Sequence, residues 1–215
     1  MSVAAGYQQT EVGVIPEGWD VDSAGNLCVK IQDGTHFSPN LGGSEYLYIT
    51  SKSIKFGVLD ISNADRINAD EHEKIYSRCD THYGDLLLTK DGANTGNAAL
   101  NSLEEEISLL SSVAFLRFDP KRHCPQFFLY QILSPDGQRR IKQQMSGNAI
   151  TRLTLQKIRA LHFSYPNLKE QTAIAEVLSD MDDQITALEQ KRDKTKLLKQ
   201  GMMQQLLTGK TRLVA

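Results

Sequence analysis

The sequence has 215 residues, 40% of them hydrophobic and 23% charged, with a formal net charge of −2 at pH 7. This length is typical of one domain with at most an appended element, and it does not favour several independent cores. No run of 18 apolar residues occurs, which excludes a transmembrane helix, and the first residues lack the pattern of a secretory signal. The cysteines Cys28, Cys79 and Cys124 are odd in number and far apart in sequence. They favour neither a disulfide framework nor a zinc site, so we expect a reducing cytoplasm.

Residues 1–165 predict a mixed α/β globular domain, because short apolar runs rich in β-branched and aromatic residues alternate with turn residues. Strands are expected at Tyr46–Thr50, Ser53–Leu59, Leu86–Lys90, Asn97–Leu100, Val113–Phe118 and Ala160–Tyr165. Helices are expected at Pro125–Leu133, where proline takes the first helical position, and at Asp136–Met145.

One long helix is predicted in the second region, residues 166–215. Asn167 can cap its first turn, with Glu170 reaching back as in a capping box. The helix should continue to about Leu207 and stop at Gly209, which can take the left-handed closing conformation. About 40 residues give a rod of about 60 Å. The fold class is therefore α+β, with a globular domain followed by this long C-terminal helix.

An apolar stripe with coiled-coil spacing runs along one side of this helix, and its register shifts after Leu188. Its members are Ile174, Leu178, Met181, Ile185, Leu188, Leu198, Met202 and Leu206. A single helix folded back on its own domain would suit about 15 residues, not 40. The sequence contains no second long helix, so we expect the partner helix to come from another chain.

Charge is distributed unevenly along the chain. Residues 117–159 carry nine Lys and Arg against two Asp and Glu, whereas residues 1–116 carry seven against 17. A local basic excess of this kind favours a polyphosphate partner, with a solvated basic face as the alternative.

Three turn-rich segments combine glycine with small hydrogen-bonding side chains: residues 33–36, 89–97 and 146–152. Glycine lets the backbone approach a phosphate closely, and Asn, Thr, Lys and Arg can bond phosphate oxygens and base edges. Each segment alone could be an ordinary strand connection. Beside a basic segment, the three together favour nucleic acid.

Catalytic motifs are weak or absent. The sequence has no FxGxG loop with a [DNS]PP[YF] run, as a methyltransferase would need, and no P-loop. Asp119-Pro120-Lys121 with Asp91 upstream matches a Mg²⁺-dependent PD-(D/E)xK nuclease, but Pro120 implies a turn rather than a strand. The histidines have no metal spacing. We therefore expect no catalytic residue, metal or cofactor, and the nuclease is kept as an alternative.

The chain resembles one half of a specificity subunit of type I restriction–modification systems: a single target-recognition domain with its helical spacer. The strings that carry the resemblance are TEVGVIPEGW at 10–19, IQDGTH at 31–36, GDLLLTKDGANTG at 84–96, GNAITRLTLQKI at 147–158, FSYPNLKEQTAIAEVLSDMDDQI at 163–185 and LLKQGMMQQLLTGKTRLV at 197–214. They span almost the whole chain, and EQ-xx-IA-xx-L and QQLLTGK are the most specific.

The resemblance implies that the domain reads one half of a bipartite DNA site and has no catalysis of its own. It also implies that the spacers pair antiparallel and dock the methyltransferase subunits, and that a separate ATP-dependent restriction subunit cuts the DNA. A usual member has two domains and two spacers, so this chain is either a natural half-subunit or a fragment. In both cases a second chain must supply the partner rod, and we expect an antiparallel homodimer.

Candidate DNA-binding residues fall into two groups. The expected phosphate contacts are Lys90, Arg117, Arg122, Arg139, Arg140 and Lys142. The expected base-edge contacts are Thr35, His36, Asn94, Thr95, Asn148, Thr151 and Arg152. Asp33 either accepts from a cytosine amine or braces its turn. A structural adaptor without DNA affinity is the other alternative to this interpretation.

Overall fold

The computed structural model describes residues 4–145 and 152–214. The strands within them are β1 (Tyr7–Thr10), β2 (Gly13–Pro16), β3 (Asp20–Ser23), β4 (Cys28–Asp33), β5 (Tyr46–Ile49), β6 (Asp65–Ile67), β7 (Leu86–Thr89), β8 (Ala98–Leu100), β9 (Ile107–Leu109), β10 (Val113–Phe118) and β11 (His162–Tyr165). The helices are α1 (Ala24–Leu27), α2 (Ala69–Tyr76), α3 (Pro125–Leu133), α4 (Pro135–Met145), α5 (Leu155–Arg159) and α6 (Leu168–Leu207).

The main sheet has the strand order β4-β10-β7-β8 and is antiparallel throughout. A second sheet has the order β6-β5-β9, with β5 and β9 parallel, and β1-β2 and β3-β11 form two small antiparallel pairs. In the main sheet, Asp33 at the end of β4 pairs with Ala114, and Thr89 at the end of β7 pairs with Val113. The ends of β4 and β7 therefore meet the start of β10 at one edge of the sheet.

Both faces of the main sheet are buried. Successive side chains of a strand point to opposite sides, so each strand contributes to both faces. On β10, Ala114 and Leu116 belong to an apolar cluster that includes Phe128 of α3. Phe115, between them, belongs to a second cluster shared with Ile49 of the second sheet. The sheet is thus a layer between α3 and the second sheet.

The predicted α+β fold class is confirmed, with the predicted elements Val113–Phe118 and Pro125–Leu133 found at their predicted bounds. The expected strand Ser53–Leu59 is wrong. Only an isolated bridge joins Ile54 and Leu59, because Gly57, at φ +85°, turns the chain back on itself. Several short elements had no sequence prediction: β1 to β4, β6, β9, α1, α2 and α5.

The long helix has its predicted bounds and its Asn167 cap, but the predicted capping box is not formed, because the Glu170 carboxylate bonds Trp19 instead. The Glu170 N–H donates to Asn167 Oδ1 (3.1 Å), and Gly209 takes φ +69° after the last turn. The Glu170 carboxylate accepts a hydrogen bond from the Trp19 indole (3.3 Å). In the part of the chain that the structure describes, no helix is long and apolar enough to cross a bilayer.

The chain forms two compact units, Met1–Ala175 and Glu176–Ala215. The first two turns of α6 are therefore part of the globular unit. Gln171 is 1% exposed there, and its side chain accepts from the Cys124 N–H (2.9 Å) and donates to the Pro166 carbonyl (2.8 Å). A buried amide satisfied at both ends fixes these turns, because breaking either bond would leave a buried polar group unpaired.

Candidate nucleic-acid interface

Three polar segments meet at the edge where β4 and β7 end and β10 begins. Backbone hydrogen bonds of 2.8 Å join Ser111 N–H to Thr35 O and Lys90 N–H to Ser112 O. Leu153 N–H donates to Lys90 O (2.8 Å), which brings Arg152 to the same edge. We call this surface, formed by residues 33–37, 90–97, 111–112 and 152, the loop edge. Asn148 and Thr151 lie outside the described residues.

Asp33 braces the loop edge from inside. Its side chain is 7% exposed and lies 3.2 Å from the ammonium of Lys90, which is itself 8% exposed. His36 (3.4 Å) and Arg78 (3.6 Å) approach the same carboxylate from the solvent side. Of the two roles considered for Asp33, the geometry supports the brace. Lys90 is not a candidate phosphate contact, because its charge is buried and already paired.

Gly34 and Thr35 shape the first loop rather than face a ligand. A Cβ on Gly34 would lie 1.9 Å from the carbonyl oxygen of Leu109, so only glycine fits where the loop crosses the second sheet. Thr35 is 5% exposed, and its hydroxyl accepts from the Phe37 N–H (3.2 Å). Thr35 is therefore a turn-forming residue, and its predicted base contact is not favoured. The His36 side chain, in contrast, is 61% exposed.

The second loop presents Asn94, which is exposed, and Thr95, which is half-buried. The Thr95 hydroxyl donates to the Gly92 carbonyl (2.7 Å), as in a tight turn. Gln138 of α4 donates to the Gly96 carbonyl (2.9 Å). This bond places α4, which carries three of the predicted phosphate contacts, beside the loop edge.

The basic segment 117–159 is not one patch. Arg139 is 63% exposed and pairs with Asp136 (2.7 Å), Lys142 is exposed, and Arg140 is half-buried among residues of β11. Arg122 is exposed but follows β10, so it lies at the opposite end of the main sheet, a strand length of about 17 Å from the loop edge. Sequence proximity could not reveal this separation.

Arg117 is a structural cation rather than a ligand contact. Only 17% of its side chain is exposed, and its Nε and Nη2 donate to the two oxygens of Asp85, each at 2.8 Å. It also bonds Asp80 and lies 5.1 Å from the centre of the Phe115 ring. The prediction that Arg117 contacts phosphate is therefore not supported by its placement.

The network around Arg117 predicts an acid-sensitive contribution to stability. Burial raises the pKa of Asp80, but hydrogen bonds from Lys30 and Arg117 outweigh it and hold that pKa below its usual value. A carboxylate with a lowered pKa stabilises the fold above its unfolded-state pKa of about 3.9 and loses that effect as the pH falls through its folded pKa. We expect Asp80→Asn to lower the melting temperature at about pH 7 and to lower it less at about pH 3. Thermal unfolding at both values checks this, and an equal decrease would contradict it.

The nuclease alternative fails on geometry. Asp91 belongs to the loop edge, whereas Asp119 follows the far end of β10, so one strand of the main sheet separates the two carboxylates. Asp119 Oδ1 instead accepts from the Lys121 N–H (3.0 Å) in the turn that Pro120 implies. Within residues 4–145 and 152–214, no group of three His, Cys, Asp or Glu is placed to hold a metal ion. All three cysteines are free.

Two basic residues next to the loop edge have no counterpart in the sequence prediction. Lys74, in the last turn of α2, and Arg78, just after that helix, line a cleft of about 450 Å³ together with Thr35, His36 and Phe37. They are 38 residues or more from His36 in sequence, in a segment that carried no motif. The contact exists because α2 packs beside β9, next to which the first loop crosses the second sheet.

Comparisons with known proteins point in one direction. Residues 16–198 match the family model described as the type I restriction modification DNA specificity domain. Two relatives from Methanocaldococcus jannaschii, the specificity subunits of the type I restriction enzymes MjaX and MjaVIII, are each 24% identical, over 94% and 96% of this chain. The chain spans about half the length of these relatives, 48% and 49%.

Solved structures share the fold. A chain of a type I R-M system aligns with a TM-score of 0.63 at 18% identity, over 89% of this chain and 46% of that one. The S subunit from M. genitalium gives 0.57 at 18% identity, over 87% and 45%. The HsdS subunit from Thermoanaerobacter tengcongensis gives 0.58 at 16% identity, over 93% and 47%.

Proposed function

The chain belongs to the type I restriction modification DNA specificity family, and from that premise we propose that it is a non-catalytic DNA-reading subunit acting in the cytoplasm. The observation that carries the proposal is the meeting of two polar loops, residues 33–37 and 90–97, with Arg152 at one edge of the main sheet. Side chains held at an edge of this kind can reach base edges in a groove, while flanking cations contact phosphate.

Exposure and pairing guide the choice of residues that we propose for this role. For base reading we propose the accessible side chains of the loop edge: His36, Asn94, Thr95 and Arg152. Asn148 and Thr151 stay predictions. For phosphate contacts we propose Arg139 and Lys142 of α4, because this helix adjoins the second loop and both side chains are exposed. Arg140 and Arg122 stay weaker candidates, because one is half-buried and the other lies at the far end of the sheet.

We propose that α6 pairs antiparallel with α6 of a second copy and that this pair docks the methyltransferase subunits, with the restriction subunit joining indirectly. Met181, Ile185 and Leu188 are 53, 54 and 66% exposed. Further along the stripe, Leu198 and Met202 are 66 and 45% exposed, and Leu206 is half-buried. Ile174 and Leu178 are half-buried, and Ile174 packs on the globular core. An apolar stripe with spacings of four and three is suited to a facing helix.

Two-fold pairing predicts the form of the DNA site. A homodimer with its two domains related by a two-fold axis should protect an inverted repeat whose identical halves flank a gap of fixed length. Footprinting of the chain with its methyltransferase subunits, together with mapping of the methylated bases, tests this prediction. As a control, the double variant His36→Ala/Asn94→Ala should lose the footprint of both halves equally.

Two outcomes would count against the proposal. Two unrelated half-sites would contradict the homodimer while leaving DNA reading intact. No sequence-dependent protection, even with the methyltransferase subunits present, would instead support a structural adaptor and contradict the proposed function itself.

A further inference from the structure

The cleft beside the loop edge is lined by side chains from two distant segments. The loop at Thr35–Phe37 forms one wall, and Lys74, Ile75, Arg78 and Cys79, in and after α2, form the other. The cleft has a volume of about 450 Å³ and opens to solvent. The Arg78 side chain, at 56% exposure, presents a guanidinium to it.

Arg78 contacts Asp33, the buried residue that braces the loop edge. Its Nη2 lies 3.6 Å from Asp33 Oδ1 and 3.5 Å from the carbonyl oxygen of Gly34. Asp33 cannot move away, because it is buried and paired with the buried Lys90. A guanidinium has five N–H donors in a rigid plane, so contacts through one nitrogen leave donors for a ligand. The side chain is thus exposed and also oriented, which reduces the entropy lost on binding.

The geometry of the cleft favours a base over a phosphate as the group that Arg78 contacts. Its three cations share two carboxylates, because Arg78 and Lys90 share Asp33 and Lys74 pairs with Glu71 at 2.9 Å, so only one positive charge is in excess. A phosphate contact needs positive charge alone, whereas a neutral base edge requires oriented donors, and Arg78 offers those of a guanidinium held at one nitrogen. Guanine offers two acceptors, O6 and N7, in the major groove, and an arginine fork matches both.

We infer, on the basis of the proposed function, that Arg78 reads a guanine in the major groove of the target duplex. Asp33 is its positioning residue: it does not touch the base but holds the guanidinium through its Nη2 nitrogen. His36, at 61% exposure and 3.4 Å from the same carboxylate, lies next to Arg78 and is placed to contact a neighbouring base.

A selection from randomised duplex DNA tests this inference. The probe is a pool of double-stranded oligonucleotides with random half-sites, bound by the full chain together with its methyltransferase subunits. The wild type should enrich guanine at one position of each half-site. Arg78→Ala should reduce the preference for that guanine by about 10-fold or more while leaving the other positions selected. Arg78→Lys should behave in the same way, because an ammonium keeps the charge but cannot form the two-pronged contact.

Lys121→Ala provides the control, since it removes an exposed cation that follows β10 at the opposite end of the main sheet and is not a candidate DNA contact. It should leave the guanine preference unchanged, whatever its effect on affinity. Circular dichroism of each variant establishes that it is folded.

Each alternative outcome has a distinct meaning. If Arg78→Ala weakens binding to all sequences equally and reduces its salt dependence, Arg78 contacts phosphate and the inference is overturned. If every position keeps its full preference, Arg78 contacts nothing in the complex and the inference is again overturned. If the wild type itself selects no sequence, the proposed function fails, and the inference fails with it.

Discussion

Asp33→Ala is expected to lower the free energy of unfolding by about 3–5 kcal/mol, because it leaves the ammonium of Lys90 buried without its carboxylate. Both side chains are less than a tenth exposed and lie 3.2 Å apart. An unpaired charge in that position must lose its proton, draw in water or displace the loop. Equilibrium denaturation followed by fluorescence of Trp19 measures the change.

The double variant Asp33→Ala/Lys90→Met tests whether the lost stability comes from the unpaired charge of Lys90 or from disruption of the loop itself. Removing both charges and restoring a side chain of similar length should recover most of the stability lost in the single variant, since well-packed apolar groups replace buried ion pairs at little cost. Glu104→Ala, which removes an exposed acid, should change the unfolding free energy by less than about 0.5 kcal/mol. A single variant as stable as the wild type would show that Asp33 does not brace the loop edge.

Ile185→Asp is expected to abolish the proposed dimer, raising its dissociation constant by at least about 100-fold, because a charge buried in the seam without a partner costs several kcal/mol. Ile185 is 54% exposed in the single chain, near the middle of the apolar stripe. Leu178→Asp should act in the same direction. Sedimentation analysis over a range of protein concentrations measures the effect, and recruitment of the methyltransferase subunits should be lost in parallel.

Ala187→Asp is the matched control for the spacer. Two residues beyond Ile185, it lies on the opposite face of the helix and is also exposed, so it adds the same charge outside the stripe. It should leave the dimer intact. A dimer that tolerates Ile185→Asp, or a wild-type chain that is monomeric at all concentrations, would contradict the proposed pairing.

Long elements could be predicted from the sequence because their signals are local. Residues at or next to each element mark its bounds. Examples are the apolar run of Val113–Phe118, the proline at the start of α3, and the asparagine and glycine at the two ends of α6. The N-terminal strands β1 and β3 could not be predicted, because they are short and also polar, whereas the equally short β5 and β7 are apolar. The pairing of β3 with β11 joins segments far apart in sequence.

The sequence indicated which loops lie together at the candidate site, as the structure shows for residues 33–36 and 89–97, but not which of its charges are paired. Composition identified the three loops, but it could not show which cations already have partners. Lys90 and Arg117 looked like free cations in the sequence, whereas the register of the main sheet brings Asp33 to one and Asp85 to the other. Arg78 was missed for the converse reason, since its neighbours in sequence give no signal and only the packing of α2 brings it to the loop edge.

The strand order of the main sheet also constrains how the protein matures. Strand β4 hydrogen-bonds only to β10 within its sheet, and β5 and β9 likewise pair across a long stretch of chain. Contacts between residues far apart in sequence form slowly, and unpaired strand edges are prone to aggregation. During translation, β4, which bears Asp33, therefore cannot pair with β10 until residues 113–118 have left the ribosome. A nascent chain that stalls earlier therefore exposes β4 without its partner strand.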